Sequence, residues 1–295
     1  MNRRGRGAGV AGVLVAILGT LASAGARGQE SPGAVLDAEM RQTVFPPLIA
    51  DPKEPHFFAS VLGTDVHATG ESLTIGSVGF GDQFGFVGRR AARGGWQIGL
   101  QAGVMAQFVL ERGSSHPLIN ADYVVGVPVT WRRDRVSARL RIYHQSSHLG
   151  DEYLLQNPDV QRINVSFEEL EGIVALDLGN GRARAYVGAG ELLHRSHDME
   201  RGKLLAGFEW RGWGRRGSGA ARGFGRRLVA GVEVKLLEEL DWEADVRAVV
   251  GVELTHSLGG RSVSILAEYY NGSIPYGQFF REKEDHIGVG LHLGL

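Results

Sequence analysis

Residues 95–110, GWQIGLQAGVMAQFVL, alternate between apolar and polar or small side chains, with Met105 and Val109 the exceptions. Trp96, Ile98, Leu100, Ala102, Val104, Ala106, Phe108 and Leu110 fall on one face of an extended chain. Gln97, Gly99, Gln101, Gly103, Met105 and Gln107 fall on the other. A period of two marks a β-strand. Strands of soluble proteins usually run to about 5–6 residues, so a sandwich core has little use for eight apolar side chains in one row. A strand that crosses a bilayer at a tilt does need such a row, apolar toward lipid and polar toward the lumen.

The same pattern recurs along the chain. Segment 226–237 sets Leu228, Ala230, Val232, Val234 and Leu236 opposite Glu233 and Lys235, and 241–255 sets Trp242, Ala244, Val246, Ala248, Val250, Val252 and Leu254 opposite Glu243, Asp245, Arg247 and Glu253. Segment 181–192 opposes Ala183, Ala185, Val187 and Ala189 to Arg182, Arg184 and Tyr186, and the chain ends on HIGVGLHLGL in the same register. Alternating segments fall near 56–66, 73–88, 95–110, 120–131, 134–146, 162–177, 181–192, 201–210, 226–237, 241–255, 262–271 and 284–295. That is about twelve, and bacterial single-chain barrels have an even number. The fold class expected is all-β, an antiparallel up-and-down transmembrane β-barrel. A soluble β-sandwich is the alternative.

The chain opens MNRRGRGAGVAGVLVAILGTLASAGARGQE. Arg3, Arg4 and Arg6 precede an apolar run from Val10 to Leu21 and then small residues, which reads as a signal peptide over 1–26, cleaved after Ala24 or Ala26. Export to the bacterial outer membrane follows, and nucleic-acid partners are not expected. Residues 27–55 lack the alternation, and FPPLIADPKEP (45–55) is broken by proline. This stretch reads as a periplasmic lead-in that tucks under a barrel domain spanning 56–295. With a periplasmic N-terminus, LGNG (178–181) is a tight periplasmic turn. Residues 211–225, RGWGRRGSGAARGFG, then form an awkwardly long connection on the side where turns should be short. The absence of cysteine excludes disulfides and thiolate chemistry. Arg135, Arg139 and Arg141 are expected to face the lumen and pair with Glu169, Glu171, Glu233, Asp245 and Glu253, filling the barrel rather than lining a pore.

Four stretches, FPPLIADPKEPHF (45–57), YHQSSHLGDEYL (143–154), RINVSFEEL (162–170) and YNGSIPYGQFF followed by HIGVGLHLGL (270–280, 286–295), resemble a bacterial family catalogued as domain of unknown function 1207. The resemblance implies an envelope β-barrel and no established activity. The primary functional expectation is a structural or ligand-binding role in the cell envelope, with outer-membrane lipids as neighbours. DEYLLQNPD (151–159) and YNGSIPYGQFFREKED (270–285) are the extracellular loops where a ligand would be recognised.

One strand suggests a second function. In 134–146 the lipid-facing set is Val136, Ala138, Leu140, Ile142, His144 and Ser146, so two polar groups end an apolar row. An imidazole two residues along a strand from a hydroxyl points the same way and can serve as its general base, given a third group to hold the ring. HQS (144–146) resembles the catalytic strand of outer-membrane phospholipase A, also a twelve-stranded barrel. That resemblance implies His144 as base, Ser146 as nucleophile and Asn164 on the next strand as the orienting residue. Outer-membrane lipid A deacylase has a similar His-x-Ser with an acidic third member, which makes Glu168 the alternative. A phospholipase-like site would imply a calcium ion, for which Asp151 and Glu152 are the nearest ligands. This sequence departs from the phospholipase after the serine, where Ser147-His148 follow. HRSHD (194–198) lacks the second ligand cluster that a zinc site needs.

Overall fold

The computed structural model describes residues 43–295 except 68, 111–115, 213–214, 217–224 and 259–260. The signal peptide expected over 1–26 and most of the Arg/Gly connection lie outside the described residues. Twelve long strands build one closed sheet: β1 (Phe57–Val66), β2 (Glu71–Ala91), β3 (Gly94–Val109), β4 (Leu118–Arg133), β5 (Val136–Leu149), β6 (Val165–Leu178), β7 (Ala183–Arg195), β8 (Gly202–Arg211), β10 (Gly225–Leu237), β11 (Ala244–Leu258), β12 (Arg261–Ser273) and β13 (Lys283–Leu293). A two-residue strand, β9 (Arg215–Arg216), lengthens the hairpin between β8 and β10. Each long strand pairs antiparallel with its sequence neighbours, and β1 pairs with β13 to close the ring.

Closure excludes the sandwich, which has sheet edges and an oily interior. Here the apolar rows face out: Tyr123, Val125, Val127 and Val129 on β4 and Ile287, Val289 and Leu291 on β13 are all exposed. Gln97, Gln101, Arg139, Glu171, Glu209 and Glu233 point inward and are buried. The strand limits agree with the alternating segments to within three residues, as for 134–146 against Val136–Leu149. Arg135 is a correction. It lies exposed in the two-residue turn between β4 and β5, beside Asp134 with its positive φ of 54°, and not on the lumen wall. Trp242 likewise belongs to a turn, with φ of 63°.

The two ends of the barrel differ. One carries the short turns at 92–93, 134–135 and 179–182, together with the connection from β8 to β10; the other carries the loops 150–164, 196–201 and 274–282. Longer loops mark the extracellular end of such barrels.

Residues 43–56 do not sit beneath the barrel; they enter it. Phe45 and Leu48 pack on Ile173, Ala175, Tyr186 and Leu205, and Ile49 and Ala50 on Val229, Val249 and Leu266. Four prolines (46, 47, 52, 55) deprive this segment of N–H donors, so it cannot join a ladder. Its carbonyls must still be satisfied, and the lumen supplies the donors. Arg132 Nε donates to Val44 O (3.2 Å), Arg184 to Pro46 O (2.8 Å) and Pro47 O (2.7 Å), and the Tyr276 hydroxyl to Pro52 O (2.8 Å). Charges complete the seal. Arg139 holds both Glu54 oxygens (2.6 and 2.9 Å), Lys235 holds Asp51 (3.2 Å) and Lys53 holds Asp122. The segment is a plug. Above it, toward the long-loop end, remains a cavity of about 150 Å³ walled by Tyr143, Phe167, Lys203, Lys235, Arg247 and Phe280.

Candidate active site on the outer face of the barrel

The outward row of β5 begins with Val136, Leu140 and Ile142 and then turns polar at His144, Ser146 and His148. Ser146 lies three residues before the end of β5, so about 10 Å of strand separates it from the 150–164 loop. The change of character happens at one level on three adjacent strands. In register, His144 stands beside Glu168 on β6, and Glu168 stands beside His194 on β7. Ser146 stands between Tyr123 on β4 and Ser166 on β6.

Contacts follow the register. His144 Nδ1 lies 2.9 Å from Glu168 Oε1, and His194 Nδ1 lies 2.9 Å from Glu168 Oε2. An ionised carboxylate only accepts hydrogen bonds, so the His144 ring carries its proton on Nδ1. That leaves Nε2 of a neutral His144 as a lone pair, the tautomer a general base requires. The His144 and Glu168 side chains keep 40% and 38% of their surface exposed, so the row is open from outside the barrel.

Of the sequence-derived residues, the structure joins His144 and Glu168 directly and places Ser146 on the same face. The ring and the Ser146 hydroxyl share no hydrogen bond, a looseness common in substrate-free sites. Asn164 precedes β6 and offers its backbone carbonyl to the Ser196 hydroxyl (2.9 Å). Of the two candidates for the third member, Glu168 is the one in contact with the His144 ring. Asp151 and Glu152 form the exposed first turn of a six-residue helix, α1 (Asp151–Gln156). Acidic residues there complement the helix dipole. Calcium takes about 6–8 oxygen ligands, and no group of three or more histidine or acidic side chains that could hold a metal occurs among the described residues. These two carboxylates do not fit a calcium site.

Sequence reading weighed His194 only as part of HRSHD and did not bring it to Glu168. β7 runs on to Arg195 and carries a bulge. Leu192 pairs with Glu169 and His194 with Glu168, so Leu193 has no partner. Below the bulge, Arg184, Tyr186 and Leu192 point inward and are buried. The extra residue reverses the parity, and His194 faces out with its side chain 76% exposed. Bulges re-aim side chains in this way.

A closed antiparallel barrel with an apolar outer belt and a charged, filled interior defines the protein as one of the bacterial outer-membrane β-barrel type, set in lipid. Residues 32–295 match the family described as "Protein of unknown function (DUF1207)", and the chain belongs to it. No curated protein matches it in sequence. Among solved structures, outer membrane phospholipase A from Escherichia coli is similar, with a TM-score of 0.55 and 14% identity over 87% of this chain and 96% of that chain. The β domain of the Bordetella autotransporter BrkA gives 0.42 and 16% identity over 81% and 99% of the two chains. LpxR from Salmonella typhimurium gives 0.40 and 10% identity over 81% and 100%. At such identities the likeness is one of fold.

Proposed function

We propose that the protein is a lipid-ester hydrolase of the outer leaflet, with Ser146 as nucleophile, His144 as base and Glu168 as orienting acid. The observation that carries this reading is the 2.9 Å contact between His144 Nδ1 and Glu168 Oε1, which turns Nε2 into the acceptor on the face shared with Ser146. In the reaction, Ser146 Oγ attacks the acyl carbonyl while its proton passes to His144 Nε2. The tetrahedral intermediate collapses with cleavage of the ester C–O bond, and the leaving alcohol takes the proton from Nε2. Water then repeats the cycle on the acyl-serine and releases a fatty acid. Tyr123 and Ser166 flank Ser146 in register, and their hydroxyls are the candidate donors for the oxyanion.

The position suits the substrate. An Arg or Lys on the lipid face costs about 2–4 kcal/mol at mid-bilayer and about 0–1 near the interface, so a polar row is tolerated at the level where acyl esters meet their headgroups. The test is fatty-acid release by purified protein in detergent from phospholipid and from lipopolysaccharide, with Ser146→Ala alongside. We expect release to fall by a factor of about 10³ or more. Equal release from both proteins would end the proposal.

A binding role in the envelope is the second reading, favoured by the 150 Å³ cavity held between the plug and the long-loop end. It predicts that exchanging 270–285 abolishes a partner interaction while Ser146→Ala has no effect.

A further inference from the structure

The carboxylate of Glu168 has two oxygens, and the contacts described above use both. We infer that His194 is a positioning residue that acts through Glu168 to orient the His144 ring; this rests on the hydrolase reading.

Three observations carry it. His194 Nδ1 meets Glu168 Oε2 at the same 2.9 Å at which His144 Nδ1 meets Oε1, so one carboxylate is clamped between two imidazoles on flanking strands. The clamp depends on the bulge at Leu193; in unbroken alternation His194 would follow Leu192, Gly190 and Gly188 to the inner face. Finally, among the described residues the side-chain contacts of this carboxylate are the hydrogen bond to His144 and the ion-pair contact to His194, and at the barrel surface a glutamate with three rotatable χ angles would otherwise sample many rotamers. An orienting acid that wanders cannot hold its histidine in the base tautomer. A ring on the far oxygen fixes the carboxylate plane, and with it the direction in which Oε1 accepts from His144. The His194 side chain is 76% exposed, which leaves that ring open to headgroups.

The test measures hydrolysis of a short-chain phospholipid in mixed micelles for wild type, His194→Ala, His194→Gln and Ser146→Ala. A glutamine at 194 keeps an N–H donor within reach of Glu168 but cannot titrate. We expect His194→Ala to lower kcat by about 10- to 100-fold with KM unchanged, and His194→Gln to restore most of the loss. In the background of Glu168→Ala, His194→Ala should have no further effect, because its route of action is gone. If Ser146→Ala abolishes activity while His194→Ala does not lower kcat, the positioning role is wrong and the hydrolase stands. If both histidine substitutions lower kcat equally, the clamp is also wrong, since the donor was kept. If wild type and Ser146→Ala are equally inactive, the hydrolase reading fails and the positioning role falls with it.

Discussion

Removing the Glu54 carboxylate puts the plug to a direct test. Arg139 donates to both of its oxygens, at 2.6 and 2.9 Å, and the two side chains are 0% and 1% exposed. Unit charges about 3 Å apart attract by about 5–6 kcal/mol at an effective dielectric constant of about 20. Removing one partner of a buried pair costs about 3–5 kcal/mol, because the other charge stays buried and uncompensated. Arg139 keeps a longer contact with Glu171, at 3.4 Å, which recovers part of the loss. We therefore expect Glu54→Ala to cost about 3–4 kcal/mol, and Glu54→Gln, which retains an acceptor, to cost less. The assay is urea unfolding in detergent micelles followed by tryptophan fluorescence, at low and high salt. The Glu54 effect should be insensitive to salt, since a pair sealed from solvent is poorly screened. Asp134→Ala is the control. Its partner Arg93 holds the Asp134 carboxyl below the usual carboxylate range by hydrogen bonding, but that pair is in solvent on a turn and its loss should go unnoticed. A Glu54→Ala loss under about 1 kcal/mol, or one that vanishes in salt, would mean that the plug is not shielded in the lumen.

Other expectations follow from the same geometry. Leu48→Ala, which empties a fully buried plug position against Ile173 and Leu205, should cost about 2–5 kcal/mol in the same unfolding assay. Val127→Arg, in the middle of the exposed row of β4, should cost about 2–4 kcal/mol in lipid vesicles, and a smaller effect would argue against the bilayer placement. Gly207→Ala puts a methyl group into the Tyr186 ring, which hydrogen-bonds Glu233 at 2.9 Å, and should destabilise by about 1–3 kcal/mol. Replacing 45–54 by a Gly/Ser linker should raise single-channel conductance in planar bilayers well above that of the intact protein.

The barrel was legible because a bilayer enforces strict alternation. Each strand has to show grease outward and something else inward, and twelve segments did so. The plug was harder to read, since FPPLIADPKEP has no period. Its signature was nonetheless present on the wet face: Ile173, Leu205, Val229, Val249 and Leu266 interrupt otherwise polar inward rows. Apolar side chains facing a water-filled lumen would have no reason to be there, whereas Phe45, Leu48 and Ile49 give them one. The site divides in the same way. His144, Ser146 and Glu168 could be placed on one face by parity alone, with Asn164 the first candidate for the third member and Glu168 the alternative until register brought Glu168 beside the ring. His194 was out of reach because a bulge reverses parity, and nothing in AGELLHR announces one.

The plug is continuous with β1, and β1 zips to β13, joining residues 57 and 293. A ring that seals by uniting its first and last members has two routes to a filled interior. Either the stave wall curls around a segment already lying in its path, or that segment is later pushed in from one end. The second route drags Glu54 and Asp51 through a lumen that already holds the charges of Arg139, Arg141 and Glu171. The first needs no such passage, and it casts the proline-rich stretch as a mandrel on which the barrel is coopered.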